Sequence, residues 1–302
     1  TRPYLPQDYK RDTGPYTVEQ VVHVEASWHH SKGKGVVEET QFIESLAFGA
    51  DTVKLGGIVA TADPRDRNFK KILKLHHKAS PHFRGIRKMA SFHEDKAIHA
   101  WTDEPQLYRN KKFLKGFEVL SQYNLSFDAW VYSTQLEDVI YLAKQFPETS
   151  IVLDHLGTPA GLFGPIGANT GMTQTARENI FFRWKDDLAE LASCPNVYTK
   201  MSGLFMPVLG HRFHKEGRLA SKQEVFDLAH PMITHALACF GTYRVMFASN
   251  FPMDSVSTSL INIIDALSDV VAAYDPDALK RVFHHNAKQF YRKKKKNKKT
   301  NF

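Results

Sequence analysis

The chain has 302 residues, of which 42% are hydrophobic and 24% charged, a composition typical of a globular protein and unlike that of a disordered or fibrous one. No uninterrupted apolar run approaches the roughly 20 residues needed to cross a bilayer, which excludes a membrane-spanning protein. The net charge of +8 lies almost entirely in the tail from Arg292 to Lys299, whose seven basic residues leave +1 for the rest.

Seven short runs rich in β-branched and aromatic residues recur along the chain, and each precedes a longer segment with helical periodicity. The predicted strands are 21–27, 55–61, 83–91, 125–132, 151–157, 197–203 and 244–251. The predicted helices are 38–50, 69–77, 111–123, 135–146, 184–192, 222–240 and 259–273. A last helix is predicted to begin with Asp275 as its cap and Pro276 in its first turn, and to continue to Phe290.

This alternation predicts a parallel sheet covered by helices, either a doubly wound sheet or a (β/α)8 barrel. No GxGxxG follows an early strand, which counts against a dinucleotide-binding fold. Polar residues mark the strand ends instead, and in a barrel those ends converge on one mouth. We therefore predict an α/β protein with one (β/α)8 TIM barrel over residues 1–291, whose first strand is missing or lies upstream of Thr1, and a basic disordered tail over 292–302.

Two long, weakly periodic segments, 158–183 and 204–221, follow candidate site strands and are predicted to be lids over the mouth. His211 and His214 fall in the second of them. Three pairs of adjacent histidines are predicted to lie at the surface: His29-His30, His76-His77 and His284-His285.

Three strand-end residues carry the groups most useful for catalysis. His155 could orient a water, polarise a carbonyl or bind a metal, although a lone strand histidine is often a core residue. By strand alternation one of Asp154 and His155 faces the barrel interior and the other does not. Lys200 could hold a carboxylate or neutralise an oxyanion, and Arg87 suits a bidentate grip on a carboxylate. A surface position for Lys200 and a structural ion pair for Arg87 are the alternatives.

Near the last strand, Asn250 cannot ionise but can donate a hydrogen bond. Asp254 is the nearest carboxylate and the leading candidate for general base, with His155 as its partner. A turn-capping role for Asp254 is the alternative. Further substrate-binding candidates are the carboxylates of Glu25 and Asp128 and the indole of Trp130, which could form an apolar wall.

Four segments together resemble the amidohydrolase-related (amidohydrolase 2) family of metal-dependent hydrolases, especially its sugar-lactonase and dicarboxylate-lactonase-like branch. They are His23-Val24-Glu25-Ala26, Leu153-Asp154-His155-Leu156-Gly157, Lys200-Met201-Ser202-Gly203, and Ala248-Ser249-Asn250-Phe251-Pro252-Met253-Asp254. Asn286-Ala287 followed by Phe290-Tyr291-Arg292 also resembles the closing helix of that family. The resemblance implies a barrel hydrolase that opens a lactone, ester or amide.

The sequence departs from the family pattern at two metal positions. The His-x-His pair of the family's first strand has no counterpart here, and Asn250 stands where the family typically has an aspartate. His155 alone matches cleanly, so we predict no bound metal and no cofactor. A divalent metal such as zinc would be expected only if upstream residues supplied His-x-His.

The leading hypothesis is a hydrolase that uses activated water to open a small sugar-derived or carboxylated lactone. Its catalytic residues would be His155, Asp254 and Asn250, and its substrate-binding residues Glu25, Arg87, Asp128, Trp130 and Lys200. The alternative is a catalytically degenerate barrel that binds a metabolite or a partner, with its open edge capped by another chain.

The expected partner is a small-molecule substrate. A homo-oligomer is left open, no membrane is expected, and nucleic acid would bind only through the basic tail. Cys194 and Cys239 show no framework spacing, which favours reduced thiols and a cytoplasmic protein. The basic tail leaves nuclear localisation as an alternative.

Overall fold

The computed structural model describes residues 3–28, 33–49 and 51–292. His29 and His30 and most of the basic tail, residues 293–302, lie outside the described residues. No helix of the described chain is long and apolar enough to cross a membrane.

Seven parallel strands form one sheet in chain order. All seven predicted strands are present, but six of them end earlier than predicted, and only β2 ends where it was expected. Their bounds are β1 Gln20–Val24, β2 Lys54–Thr61, β3 Phe83–Arg87, β4 Ser126–Ala129, β5 Ile151–Leu153, β6 Val197–Met201 and β7 Val245–Phe247. Consecutive strands pair with one another, whereas β7 and β1 are not paired among the described residues. The architecture is an α/β fold with a parallel sheet of seven strands in the described chain, consistent with a TIM barrel.

The helices α1 to α9 are Pro6–Asp12, Glu38–Ser45, Phe69–Ala79, Lys111–Gln122, Leu136–Gln145, Gln174–Ala192, Lys222–Phe240, Leu260–Tyr274 and Asn286–Phe290. Side-chain caps fix several of their starts. Asn110 accepts from two backbone N–H groups at the start of α4, and Ser221 forms a capping box with Glu224 at the start of α7. Asp275 caps a turn with Pro276 at its first position, as predicted, but the single helix expected from there to Phe290 is divided into a 3₁₀ turn, a π-helical segment Arg281–His285 and α9.

Three expectations from the sequence are wrong. The predicted lid 158–183 contains the first half of α6, which begins at Gln174 because Thr173 Oγ1 caps it. The exposed surface of this helix weakens the helical periodicity of its sequence. The predicted helix 38–50 ends at Ser45, where Leu46 turns to extended backbone. His76 is fully buried rather than at the surface, because its ring nitrogens bond Thr40 Oγ1 and the Thr61 carbonyl.

Side chains on the two faces of the sheet form two separate apolar clusters. The outer face packs against the helices, as where Phe127 of β4 contacts the rings of Phe113 and Phe117 on α4. A smaller cluster joins residues from several strands to the C-terminal segment: Val59, Val152, Met246, Phe290 and Tyr291. Because Val152 is the register partner of Asp128, this cluster marks the inner face that carries the polar strand ends.

Candidate active site

Two buried cations lie among three buried carboxylates at the carboxyl ends of the strands. Glu25 follows β1, Arg87 ends β3, Asp128 lies in β4, Asp154 follows β5 and Lys200 lies in β6. None of the five is more than 8% exposed. The parallel sheet brings residues far apart in sequence to one edge, as the predicted barrel required.

Each cation bridges two carboxylates. Arg87 Nε is 2.8 Å from Glu25 Oε1, and Arg87 Nη1 is 3.0 Å from Asp154 Oδ2. Lys200 Nζ is 2.5 Å from Asp128 Oδ2 and 2.8 Å from Asp154 Oδ1. We call these five residues the ion network. Since an unpaired buried charge is costly, the pairing allows all five groups to stay ionised inside the protein.

The pKa values in the ion network follow from burial and pairing. Burial raises the pKa of Asp128 to about 6, although Lys200 opposes the shift. Burial also acts on Asp154, but Lys200 and Arg87 outweigh it and lower the pKa of that carboxyl to about 2. For Glu25, Arg87 and hydrogen bonds likewise outweigh burial and lower the pKa. At neutral pH three negative charges therefore face two positive ones.

His155 lies beside this network because the chain turns directly after β5. Strand β5 ends at Leu153, and His155 adopts a left-handed backbone with φ of 56°. The predicted alternation therefore stops: Asp154 joins the ion network while His155 is also buried at the mouth. Burial lowers the pKa of His155 to about 4, so its imidazole is neutral at physiological pH.

The His155 ring is fixed on three sides. Ser202 Oγ lies 2.8 Å from Nδ1, and the ring meets the Trp130 indole edge-on at 5.7 Å between centroids. A Cβ at Gly203 would lie 2.6 Å from the ring. Nε2 has no hydrogen-bond partner among the described residues.

Gly203→Ala is expected to displace the His155 imidazole. The new methyl group would overlap the ring, and the φ of +64° at this position is strained for alanine. We expect turnover to fall by at least about tenfold, since small misplacements of catalytic groups cost large factors in rate. A thermal melt and a rate measurement check this, with Gly217→Ala as control, because Gly217 has a similar φ of +67° but open space around it. Equal losses of turnover in both variants would show that backbone strain alone, and not displacement of the His155 ring, causes the effect.

Asn250 and Asp254 form a second polar pair after β7. Asn250 Nδ2 donates to Asp254 Oδ1 at 2.7 Å, and the Phe205 backbone N–H faces the same carboxyl. Asp254 is 1% exposed, and burial raises the pKa of its carboxyl to about 7. No hydrogen bond joins Asp254 to His155. His155 and Asp254 instead contact the same segment after β6, in which Gly203 lies against His155 and Phe205 lies against Asp254.

Trp130 and Trp101 form an aromatic wall that runs from the ion network towards solvent. The Arg87 guanidinium lies 5.5 Å from the Trp130 ring centroid, and Trp101 packs on Trp130 at 5.3 Å. Trp130 Nε1 donates to Thr158 Oγ1 at 3.1 Å, which orients the indole. Trp101 is 39% exposed, so the wall extends to the surface.

The sequence did not single out Asp154 or Tyr291 as members of the network. Asp154 lies two residues after Val152, so strand alternation places both on the inner face of the sheet, and this pattern can be read from the sequence. Tyr291 donates its hydroxyl to Asp128 Oδ2 at 2.8 Å across 163 positions of sequence, and no local pattern indicates this contact.

The side chains of the described chain do not fit a divalent metal. Within residues 3–28, 33–49 and 51–292, no three His, Cys, Asp or Glu side chains are grouped as ligands. The cationic groups of Arg87 and Lys200 lie between the carboxylates, and Ser202 occupies Nδ1 of His155.

The fold is consistent with a TIM barrel, and the comparisons with known proteins identify the family. The amidohydrolase family profile matches residues 4–293, so the chain belongs to the amidohydrolase family and is a hydrolase of that family.

Among its relatives, an uncharacterised protein of Sinorhizobium fredii is 30% identical over 96% of this chain and 86% of its own length. An L-fucono-1,5-lactonase of Burkholderia ambifaria is 28% identical over 70% of this chain and 62% of the lactonase.

Solved structures share the fold. An amidohydrolase from Burkholderia multivorans superimposes with a TM-score of 0.75 at 20% identity, covering 96% of this chain and 89% of that one. A putative 2-pyrone-4,6-dicarboxylic acid hydrolase from Pseudomonas putida gives 0.61 at 15% identity, covering 94% and 86%. At these identities the likeness establishes the architecture alone.

Proposed function

We propose that this protein opens the ring of an uncharged, sugar-derived lactone with an activated water. The observation that carries the proposal is the neutral His155 imidazole, which is held by Ser202 and Trp130 beside the ion network and has Nε2 unpartnered among the described residues. Relatives named L-fucono-1,5-lactonase support the choice of a lactone.

Asp254 is the proposed general base. Its pKa of about 7 suits proton removal from water near neutral pH, and Asn250 fixes one carboxylate oxygen. The water oxygen bonds the lactone carbonyl carbon as its proton passes to Asp254, and the ring C–O bond then breaks. Asp254 returns this proton to the ring oxygen, which leaves as a hydroxyl, so the carboxylate is regenerated and the product is an open hydroxy acid.

His155 is proposed to polarise the carbonyl. When the Ser202 hydroxyl donates to Nδ1, the neutral ring carries its proton on Nε2 and can donate it to the carbonyl oxygen. The low pKa keeps the imidazole neutral, so it acts as a hydrogen-bond donor without becoming charged.

The charges at the mouth favour a neutral substrate. Arg87 and Lys200 are each bonded to carboxylates of the chain, so neither cation is free to neutralise an incoming carboxylate. A substrate anion would add to three buried negative charges that already outnumber the cations, and burying it would be unfavourable. The aromatic wall formed by Trp130 and Trp101 suits the apolar face of a sugar ring. The carboxylated lactone considered from the sequence is therefore not part of this proposal.

The class of bond can be tested with three substrates of one sugar acid: the 1,5-lactone, the methyl ester and the amide. We expect acid release, followed by pH-stat, only with the lactone or at least about 100-fold faster with it. Cleavage of the amide in preference to the lactone would overturn the proposal.

The pH dependence tests the base. Because Asp254 must be ionised, kcat/KM of the wild type should rise with pH through about 7 and level off above it. Asp254→Asn should lower the rate by about 10²-fold or more and abolish this limb. Asp265→Asn on α8 is a control outside the mouth. An unchanged acid limb in Asp254→Asn would assign the ionisation to another group.

A further inference from the structure

The side chain of Tyr291 enters the ion network from the C-terminal end of the chain. Helix α9 is anchored where Asn286 Nδ2 donates to the carbonyls of Thr242 at 2.8 Å and Val245 at 2.7 Å. Phe290 then packs on Tyr198 of β6 at 4.9 Å, within the inner apolar cluster. These contacts hold the chain so that the next residue, Tyr291, points to the polar strand ends, and it is only 4% exposed.

The Tyr291 hydroxyl and the Lys200 ammonium share one oxygen of Asp128. Tyr291 donates to Oδ2 at 2.8 Å, and Lys200 Nζ lies 2.5 Å from the same atom and 5.7 Å from the tyrosine ring centroid. Oδ1 has no hydrogen-bond partner among the described residues. Tyr291 is thus the one neutral donor to this carboxylate in the described chain, and its loss would leave Asp128 with Lys200 alone.

We propose that Tyr291 is a positioning residue for lactone opening. Its hydroxyl fixes the Asp128 carboxylate, and through it holds the Lys200 ammonium against Asp154, the residue that directly precedes His155. This inference rests on the proposed function. It makes the end of the barrel domain part of the active-site scaffold, although Tyr291 itself is not placed against the substrate.

The stability that the Tyr291 hydrogen bond contributes must depend on the ionisation of Asp128. The titratable and charged groups around this carboxyl are those of Lys200, Asp154, Arg87, Tyr108 and Tyr291. Burial raises the pKa of Asp128 to about 6, and the Tyr291 hydrogen bond acts against that rise. A hydroxyl donor stabilises the carboxylate more than the carboxylic acid, so Tyr291 contributes more stability above pH 6 than below it.

The test compares thermal unfolding of the wild type, Tyr291→Phe and Tyr198→Phe at pH 4.5 and 7.5. Tyr198 lies in the same apolar cluster, and its hydroxyl has no hydrogen-bond partner among the described residues. We expect the Tm deficit of Tyr291→Phe to be about 3 °C larger at pH 7.5 than at pH 4.5. The deficit of Tyr198→Phe should be the same at both pH values. A pH-independent deficit in Tyr291→Phe would reduce its role to packing and overturn the inference.

Kinetics separate this inference from the proposed function. With a sugar lactone, Tyr291→Phe should lower kcat about tenfold with KM unchanged, and Tyr198→Phe should leave both near the wild-type values. If the wild type opens the lactone but Tyr291→Phe shows no loss of kcat, the inference alone fails. If the wild type opens no lactone while the pH-dependent Tm deficit is present, the proposed function fails and the contact with Asp128 stands.

Discussion

Replacing His155 with alanine is expected to lower kcat/KM for a sugar lactone by about 10²- to 10³-fold, the usual cost of removing a donor to a developing oxyanion. In the proposed mechanism the neutral imidazole donates to the carbonyl oxygen, and its orientation depends on Ser202 and Trp130. Ser202→Ala should have a smaller effect, since it frees the ring to rotate without removing it. Steady-state kinetics with the lactone check both variants.

A matched control separates this effect from the loss of any buried histidine. His76 on α3 is also buried, and both of its ring nitrogens are bonded, to Thr40 Oγ1 and to the Thr61 carbonyl. It is not a member of the ion network, which it reaches only through Thr61, whose hydroxyl donates to Glu25. His76→Ala should lower stability while folded molecules retain wild-type turnover. Wild-type activity in His155→Ala would remove His155 from the mechanism.

Replacing Lys200 with methionine is expected to lower the free energy of unfolding by about 3–5 kcal/mol at neutral pH, the usual cost of leaving buried charges unpaired. Lys200 is the cation between Asp128 and Asp154, and its own pKa, which burial would lower, is held well above the ordinary value by these two carboxylates. In the variant, Asp128 would keep only Tyr291, and Asp154 only Arg87.

The loss should grow as pH rises. Without the ammonium, the pKa of both carboxyls rises in the folded variant but stays near about 3.9 in the unfolded chain. Folding of the variant then takes up protons. The loss of unfolding free energy is therefore smallest at acid pH, where both carboxyls are protonated in the folded and the unfolded state, and it increases as pH rises through the raised pKa values. Urea unfolding at pH 5 and pH 7.5 measures this difference.

Two further variants sharpen the result. Adding Asp128→Asn to Lys200→Met should recover part of the lost stability, because one of the two unpaired charges is removed. Lys222→Met breaks an exposed ion pair with Asp269 of 2.7 Å and should cost less than about 1 kcal/mol. A Lys200→Met protein as stable as the Lys222→Met control at pH 7.5 would contradict the account of the ion network.

The sequence predicted the strands because their signal is local. A short apolar run needs only its own residues to be recognised, and parallel pairing then brings Glu25, Arg87 and Lys200 to one edge. Asn250 and Asp254 could also be associated, since four positions separate them within one turn-forming segment. The first half of α6 was missed because its exposed surface gives little apolar periodicity.

The partners of the charged residues could not be predicted from the sequence. The sequence left a structural ion pair open for Arg87 and a surface position open for Lys200, but it identified no partner for either. The folded sheet places carboxylates within 3.0 Å of both cations. Tyr291 is beyond local reasoning for the same reason. The left-handed turn at His155 was equally hidden, because nothing in its residue type requires a positive φ.

The most direct test of the central claim is the ratio of kcat/KM for a neutral 1,5-lactone to that for a lactone of equal ring size bearing a carboxylate, measured by pH-stat at pH 7.5. A mouth whose buried carboxylates outnumber its cations, and which accepts an uncharged sugar lactone, predicts a ratio of about 100 or more. A ratio below one would show that the mouth binds an anion and would contradict the account.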